Sequence, residues 1–344
     1  MTVIVPARNE EQALPACLAS LIAQSEPGFA LGREWELIVV DDHSSDRTAE
    51  IAQQAAQQVG VQLLPAPALD PGPKAGFNGK TNACWAGAQA ARGEMILFTD
   101  ADTVHEPGSL SRARHEMEKY GVSLLSYSPR QLVSGFAQRT LMPLIFAELA
   151  IAYPPKRVNV LEDRTAAANG QYLLVDQEAY FAIGGHRAVG REVLEDVALA
   201  RNIKRSRRPI RFRYAPDAVS AHMYRDTYAM VEGWTKNLAL LFASPLLLAA
   251  IRGLVFLLIV GIPVVALVYP FLTSLQRLLL AFVWLRGVWF FYARVAKSNF
   301  SATDCALSVL GIPLFIYLLV RSYLHVRIRR SVNWKGRSYP TTGH

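Results

Sequence analysis

Apolar strands alternate with helices through the first hundred residues, and this alternation limits the possible folds more than any other feature of the chain. The expected strands are residues 2–5, 36–40, 61–64 and 95–98. Asn9, with Gln12 three residues later, has the spacing of a capping box and predicts the start of the first helix. Strands and helices that alternate at this spacing form a doubly wound, mostly parallel sheet, so we expect an α/β fold.

Carboxylates follow two of these strands at the point where each strand ends. Asp41 and Asp42 end the second strand, and Asp100 and Asp102 follow the fourth. The carboxyl ends of parallel strands share one edge of a sheet, which is where open α/β sheets bind ligands. Oxygen ligands favour Mg²⁺ or Mn²⁺, which would neutralise the charge of a departing diphosphate. Taken alone, Asp-x-Asp is also typical of a solvated turn, and Asp41-Asp42 of a helix-capping turn.

The hydrophobic residues are concentrated toward the C-terminus. The chain has 344 residues, 51% of them hydrophobic and 19% charged, and its mean hydropathy of +0.17 is high for a soluble protein. We therefore predict a catalytic domain at 1–235, interfacial and transmembrane helices at 236–325 and a basic tail at 326–344. A further apolar run at 136–153 contains Arg139, Pro143 and Glu148, so a buried or interfacial helix is expected there.

The number of membrane crossings stays open at this stage. The candidate spans are 253–272, 278–293 and 305–324, and the second is short and contains Arg286. Three crossings would place the basic tail opposite the catalytic domain, against the positive-inside tendency. Two crossings with one interfacial segment would keep the tail on the cytosolic side.

The net charge of +8 does not indicate nucleic acid binding. The basic residues cluster at 204–213 and in the tail after the last apolar run, where they are expected to face anionic lipid headgroups. No nucleic-acid-binding module accompanies them. The three cysteines are far apart, which favours a reduced, cytosol-facing domain, and no cleavable signal is expected before the first strand. The sequence does not determine the oligomeric state.

Five motifs carry a family resemblance. They are Val5-Pro6-Ala7-Arg8-Asn9-Glu10, Val40-Asp41-Asp42-His43-Ser44-Ser45-Asp46, Gly79-Lys80, Thr99-Asp100-Ala101-Asp102 and Leu194-Glu195-Asp196. Their order and spacing resemble those of family 2 glycosyltransferases of the GT-A, nucleotide-sugar-binding fold.

Three further motifs narrow this resemblance. They are Gly185-His186, Gly233-Trp234-Thr235-Lys236 and Trp334-Lys335-Gly336-Arg337. They look like the membrane-anchored branch that includes diapocarotenoid-acid (4,4'-diaponeurosporenoate-type) glucosyltransferases, hopanoid-associated glycosyltransferases and ceramide glucosyltransferases.

The resemblance implies a nucleotide-sugar donor, expected to be UDP-glucose, and a bound Mg²⁺ or Mn²⁺. The nucleotide-sugar-binding residues that it implies are Pro6, Ala7 and Asn9 over the base, Asp41 and Asp42 at the uracil and ribose, and Asp100 at the ribose or sugar. Asp102 would ligate the metal. Lys80, a cation at a helix start, is well placed to meet phosphate, although an exposed surface lysine is the alternative.

Asp196 is the predicted general base, and Glu195 is the second candidate. An inverting transfer needs one carboxylate to take the acceptor's proton as it attacks the anomeric carbon. The alternative is that both carboxylates merely begin a helix. The predicted acceptor-side residues are His186, His222, Trp234 and Lys236, with a structural histidine or a tryptophan at the membrane interface as the alternatives.

These features together predict an inverting, metal-dependent transfer of a hexose to a membrane lipid such as a carotenoid, hopanoid or ceramide-like lipid. The chain lacks a Gln-x-x-Arg-Trp motif after the predicted base, which the resemblance associates with processive synthases, so one transfer per acceptor is expected. The expected location is the inner, cytoplasmic membrane, multi-pass, with the catalytic domain facing the cytoplasm. Transfer to polyprenyl phosphate or into a cell-wall polysaccharide is the alternative reaction, and an inactive membrane scaffold is the alternative outside enzymes.

Overall fold

The computed structural model describes residues 1–69, 76–329, 331–334 and 337–340. Part of the predicted loop at 65–78, and Lys335 and Gly336 of the tail motif, lie outside these residues. The chain forms two compact units: Met1–Leu132 with Tyr153–Met223, and Val133–Ala152 with Tyr224–His344. The second unit thus includes residues 133–152 and 224–235, which the sequence pattern grouped with the catalytic domain. The apolar helix at 135–152 packs there against other apolar helices.

The described residues of the first unit form ten strands. They are β1 (Thr2–Ala7), β2 (Glu36–Asp41), β3 (Val61–Pro65), β4 (Met95–Phe98), β5 (Thr103–His105), β6 (Leu124–Ser128), β7 (Arg130–Gln131), β8 (Leu173–Asp176), β9 (Ile210–Tyr214) and β10 (Val219–Ala221). Seven of them form one sheet in the order β3-β2-β1-β4-β8-β6-β9, in which β8 runs antiparallel to both of its neighbours and the other pairs are parallel. The mostly parallel sheet predicted from the sequence is therefore confirmed. A smaller sheet has the order β5-β10-β7.

Helices cover both faces of the large sheet. In chain order, the helices of both units are α1 (Leu14–Ile22), α2 (Thr48–Ala55), α3 (Gly79–Ala90), α4 (Ser109–Tyr120), α5 (Gly135–Ala152), α6 (Pro155–Val158), α7 (Gln177–Ala182), α8 (Gly185–Ala188), α9 (Glu195–Arg205), α10 (Thr227–Leu241), α11 (Pro245–Val268), α12 (Ser274–Val295), α13 (Ala302–Leu307) and α14 (Ile312–Tyr323). Successive residues of a strand point to opposite faces, so Val3 and Val5 pack in one buried cluster with α1 and α4, whereas Ile4 packs in the other with α3 and α9.

The start of the first helix differs from the prediction. Helix α1 begins at Leu14, and Ala13 is its N-cap, so the capping box predicted at Asn9 is wrong. Asn9 instead adopts a left-handed backbone with φ 54°. Its side-chain oxygen accepts a hydrogen bond from the backbone N–H of Ser45 at 2.9 Å, and its own N–H donates to Ser44 Oγ at 3.1 Å. The side chain therefore ties the loop after β1 to the loop after β2.

The second unit is helical apart from the tail strands β11 (Ser331–Trp334) and β12 (Arg337–Pro340), which pair antiparallel. It consists of α5 and α10 to α14, and α14 packs against α5, α10 and α11. Within its described residues, three helical segments are long and apolar enough to cross a membrane: Pro245–Val268, Ser274–Ser298 and Ala302–Arg329. The second is longer than the run predicted at 278–293, because the helix continues through Arg294 at one end and begins at a capping box of Thr273 and Gln276 at the other.

Candidate active site

The carboxyl ends of three neighbouring strands bring the predicted donor residues to one edge of the large sheet. Ala7 at the end of β1 pairs in register with Asp41 at the end of β2. Strand β4 lies on the other side of β1, and the N–H of Thr99 donates to the carbonyl of Ile4 at 3.0 Å. Asp41 and Asp100 therefore lie at the same edge, with β1 between their strands, as the sequence predicted.

Lys80 forms ion pairs with both Asp100 and Glu195, which lie on separate elements in the sequence prediction. Its ammonium nitrogen lies 2.8 Å from Asp100 Oδ1 and 3.0 Å from Glu195 Oε1. Lys80 is in the first turn of α3, which Asn78 and Thr81 cap reciprocally, so the helix N-terminus is fixed. Removal from solvent lowers the pKa of Lys80, but the charges of Asp100 and Glu195 outweigh this and raise the pKa well above its usual value. The side chain is 37% exposed, so a ligand can reach the ammonium group.

The backbone positions the predicted base. Asp196 Oδ2 accepts a hydrogen bond from the N–H of Gly170 at 2.8 Å, and Oδ1 accepts one from the N–H of Val197 at 2.8 Å. Removal from solvent, together with the negative charge of Glu195, raises the pKa of Asp196 to about 6, and the charge of Lys80 opposes the shift. A carboxyl group with a pKa close to the working pH is suited to accept a proton. Glu195 is buried, and its carboxylate forms an ion pair with Lys80.

Gly170 is a site residue that the sequence pattern did not identify. A Cβ atom there would lie 3.0 Å from Lys80 Nζ and 3.6 Å from Asp196 Oδ2, so a side chain would fill the space between the two charged groups. Its contribution is a backbone N–H, which every residue except proline carries, so only the fold reveals it.

The two adjacent aspartates after β2 have different surroundings. Asp42 is buried, and its Oδ2 lies 3.6 Å from Arg8 Nη1, which also donates to the Asp42 carbonyl at 2.7 Å. Asp41 Oδ2 accepts from the N–H of Ser44 at 3.3 Å, whereas its buried Oδ1 has no hydrogen-bond partner among the residues that the structure describes. A buried acceptor without a partner costs free energy unless a ligand donor supplies the bond, so Asp41 is the better placed of the two to bind a ligand hydroxyl or amide.

A buried hydroxyl network holds the turn between Asp100 and Asp102. Thr103 Oγ1 donates to the Asp100 carbonyl at 2.7 Å and lies 3.2 Å from His105 Nε2. Thr99 Oγ1 donates to the carbonyl of Gln171 at 2.8 Å, which links this turn to the loop that carries Gly170. Burial lowers the pKa of His105 to about 3, so the imidazole is neutral and structural.

Among the described residues, Asp102 lies in a region with few other potential metal ligands. The backbone N–H of exposed His222 donates to the Asp102 carbonyl at 3.1 Å, so these two residues are neighbours. No group of three or more potential ligand side chains occurs in the described part of the chain. Mg²⁺ and Mn²⁺ are commonly bound by one or two carboxylates with phosphate oxygens and water, and this donor set is compatible with that arrangement.

The predicted acceptor-side residues divide between the two units. His186 is buried, its Nδ1 lies 2.8 Å from Tyr180 Oη, and burial lowers its pKa to about 3. Trp234 belongs to the second unit, is 2% exposed, and directs its indole Nε1 to Met142 Sδ at 3.3 Å. These contacts favour structural roles for both rings. Lys236 is half-buried on the same helix as Trp234.

A pocket in the first unit opens among the residues described above. It is lined by Pro6, Lys80, Cys84, Phe98, Thr99, Asp100, Gly170, Leu173, His186, Glu195 and Asp196. Within this pocket the cation of Lys80 lies between the carboxylates of Asp100 and Glu195. The Lys80 ammonium group and the Asp196 carboxylate both line this pocket.

The fold is that of a class of proteins, the GT-A glycosyltransferases. The mannosyltransferase PcManGT from Pyrobaculum calidifontis, solved with GDP-Man and Mn²⁺, has the same fold, with a TM-score of 0.54 and 17% identity over 96% of this chain and 87% of its own. The profile described as Glycosyl transferase family 2 matches residues 2–197, and the chain belongs to that family. Its curated relatives include the 4,4'-diaponeurosporenoate glycosyltransferases of Staphylococcus haemolyticus and Staphylococcus aureus. Each is 26% identical, over 98% of this chain and 88% of the relative.

Proposed function

We propose that this glycosyltransferase moves the glucose of UDP-glucose, a hexose, to a membrane lipid. The transfer would invert the configuration at the anomeric carbon. The observation that carries the proposal is the position of Lys80 between Asp100 on the donor side and the Glu195-Asp196 pair. Such a transfer requires a cation that contacts the diphosphate and a carboxylate that takes the acceptor's proton. Lys80 would supply the first group and Asp196 the second.

The donor would lie along the carboxyl edge of the sheet. Asp41, with its buried Oδ1 lacking a partner among the described residues, would accept a hydrogen bond from the uridine. Lys80 would contact the diphosphate, and Asp102 would hold Mg²⁺ or Mn²⁺ there. When bound, the cation neutralises charge that builds on the leaving diphosphate.

Asp196 would act on the acceptor. As the acceptor oxygen forms its bond to the anomeric carbon, the bond from that carbon to the diphosphate oxygen breaks and UDP leaves with the electron pair. The acceptor hydroxyl gives its proton to Asp196, which the N–H groups of Gly170 and Val197 hold in place. A carboxylate acceptor has no proton to give, so this arrangement is most useful for a hydroxyl.

The lipid nature of the acceptor is supported by three helical segments that are long and apolar enough to cross a membrane. The relatives' name, 4,4'-diaponeurosporenoate glycosyltransferase, describes a lipid acceptor for those proteins. We propose a lipid acceptor here as well, a carotenoid, hopanoid or ceramide-like lipid that offers a hydroxyl or a carboxylate, with the enzyme in the cytoplasmic membrane and its site facing the cytoplasm.

Labelled UDP-glucose tests the proposal when it is incubated with membranes that contain the protein and with extracted lipids. A labelled neutral lipid that survives mild acid supports it. An acid-labile lipid phosphate, or label in a polymer, would instead indicate transfer to polyprenyl phosphate or polysaccharide synthesis. Nucleotide binding without turnover would indicate an inactive scaffold.

A further inference from the structure

Two of the three long apolar segments in the described part of the chain form a hairpin that contains few buried residues. Helices α11 and α12 are joined by the short connection 269–273, and the indole Nε1 of Trp284 donates to the Ile259 carbonyl at 2.9 Å. Only 6% of the apolar window of Pro245–Val268 and 11% of that of Ser274–Ser298 is buried, against 39% for Ala302–Arg329. The third segment therefore has a different environment from the first two.

A buried ionic cluster marks one end of this hairpin. Glu148 of α5 is 5% exposed, and its carboxylate lies 2.7 Å from Arg252 Nη2 of α11 and 3.0 Å from Arg294 Nε of α12. We call this cluster the hairpin base. Residues 253–268 and 274–290, which extend from the base to the connection, include no buried residue. Beyond these arginines the side chains of both helices are exposed or only partly buried.

The uncovered part of the hairpin is nearly as long as a bilayer core is thick. At about 1.5 Å per residue, residues 253–268 and 274–290 each extend about 24–26 Å. The hydrocarbon core is about 30 Å thick. Leu267 is 85% exposed and Phe271 81% exposed at the far end, where no protein group of the described chain shields them. Hydrocarbon is the environment that suits this surface.

Arg286 lies within the uncovered part of α12 and is compatible with that environment. Its guanidinium carbon lies 4.5 Å from the ring centre of Phe290 and 5.4 Å from that of Trp289, both one turn closer to the base. The long side chain thus runs along the helix toward the Arg294 end, as arginines do when they reach for a headgroup layer.

The third segment, Ala302–Arg329, has the pattern of a protein core. Its buried residues form one stripe along the segment: Asp304, Ser308, Gly311, Ile312, Phe315, Leu318, Leu319, Ser322 and Val326. Protein groups satisfy the polar members of the stripe, since Asp304 pairs with Arg139 at 2.6 Å and Ser322 Oγ accepts from the Ala239 N–H at 2.8 Å. This face of the third segment therefore packs against protein.

The third segment is also irregular. A 3-10 turn occupies Ser308–Gly311 and a π-helical turn occupies Leu324–Arg329, so the uninterrupted α-helix is the 12-residue α14. The helical backbone continues through both turns, so they set this segment apart from α11 and α12 by its geometry and not by its length. On its outer face Arg321 Nη1 donates to Tyr317 Oη at 2.7 Å, a residue pair typical of the membrane interface.

We propose that only the α11–α12 hairpin crosses the membrane, and that Ala302–Arg329 is a core segment of the second unit at the membrane surface. The inference rests on the membrane association in the proposed function and specifies its topology. After two crossings the chain returns to the side that it left, so the basic tail lies on the same side as the glycosyl-transfer site. Arg252, Arg294 and Lys297 are near the hairpin base and Arg277 is near the connection, so the positive-inside rule places the base in the cytoplasm.

Single cysteines at exposed positions test this topology in the full chain. Cys17 and Cys84 are buried, so Cys305→Ser provides the background. Val59→Cys reports the first unit, Phe271→Cys the connection and Ile328→Cys the end of the third segment; these side chains are 84%, 81% and 63% exposed. A membrane-impermeant maleimide is applied to sealed vesicles of known orientation, before and after detergent.

We expect the cysteines at 59 and 328 to be labelled from one side and the cysteine at 271 only from the other. Labelling of position 328 from the same side as 271 would establish three crossings and overturn the inference. Labelling of position 271 from the same side as 59 would show that the hairpin does not cross, and would overturn it as well. If a variant is not retained in membranes, Tyr269→Cys replaces the connection site and Arg329→Cys the third-segment site.

Labelling does not require catalysis, so the two proposals fail separately. Two crossings in a chain that transfers no sugar would contradict the proposed function alone. Three crossings in a chain that transfers glucose to lipid would contradict the topology alone.

Discussion

The ammonium group of Lys80 in α3 and the carboxylate of Glu195 in α9 form an ion pair of 3.0 Å. The two helices are far apart in sequence, yet each begins at the carboxyl edge of the same sheet. Removal from solvent and the negative charge of Glu195 raise the pKa of the nearby Asp196 to about 6, whereas the positive charge of Lys80 lowers it. A diphosphate would compete with Glu195 for this ammonium group.

The pH dependence of the reaction should report the ionisation of Asp196. With a hydroxyl acceptor, kcat/KM for the donor is expected to rise as the pH rises through about 6, because the base accepts a proton only when ionised. Lys80→Met removes a charge that lowers the pKa of Asp196, so its acidic limb should move to higher pH. Glu195→Gln removes a charge that raises that pKa, so its limb should move to lower pH.

Glu178→Gln serves as the control for these profiles, since its side chain is 86% exposed and pairs with Arg208. Its acidic limb should match the wild type. Limbs that move in the same direction in Lys80→Met and Glu195→Gln would contradict the electrostatic account of the site.

Replacement of Asp196 by Asn should separate binding from transfer. The amide keeps the size of the side chain but accepts no proton, so transfer to a hydroxyl acceptor should fall by about 100-fold to 10,000-fold. UDP affinity, measured calorimetrically, should stay within about twofold. Transfer to a carboxylate lipid should fall much less, because no proton leaves that acceptor. Unchanged turnover with the hydroxyl acceptor would remove Asp196 as the base.

Asp102→Ala should abolish the dependence of UDP binding on a divalent cation. The reason is that Asp102 is the carboxylate proposed to hold Mg²⁺ or Mn²⁺ against the diphosphate. Calorimetric titration of UDP with and without Mn²⁺ measures the effect. Asp163→Ala, which removes a half-buried partner of Arg157, is the matched control and should keep the cation effect. Persistence of the cation effect in Asp102→Ala would contradict the assignment.

The neighbouring aspartates after β2 should respond differently to the same change. Asp41→Asn is expected to weaken UDP binding while leaving the melting temperature nearly unchanged, because its Oδ1 has no partner among the described residues. Asp42→Asn removes the carboxylate that faces Arg8 and should lower the free energy of unfolding by about 1–2 kcal/mol. Thermal unfolding and UDP titration of both variants decide between the roles. Equal loss of UDP affinity in the two would contradict the distinction.

The sequence predicts the sheet and its site edge because both depend on local patterns. Short apolar strands specify the buried interior of the sheet, and polar residues at their carboxyl ends fall where parallel strands converge. That argument was sufficient to bring Asp41 and Asp100 to one edge. The family resemblance supplied the expected role of Asp196.

Long-range contacts were not accessible to the same arguments. Asn9 has the spacing of a helix cap but binds Ser45 in the next loop, since a side chain that can cap a helix can also cross-link two loops. Gly170 contributes only its N–H, which leaves no signature in a sequence. The burial of Trp234 against Met142 depends on α5, a segment far from it along the chain.

Transfer by the purified protein tests the central claim most directly. The full chain is reconstituted in lipid nanodiscs with radiolabelled UDP-glucose, Mn²⁺ and a membrane lipid extract, next to Asp196→Asn prepared in the same way. We predict a labelled, acid-stable neutral glycolipid with the wild type and almost none with the variant. Label confined to an acid-labile lipid phosphate, or no lipid label from a wild-type protein that binds UDP, would contradict the account.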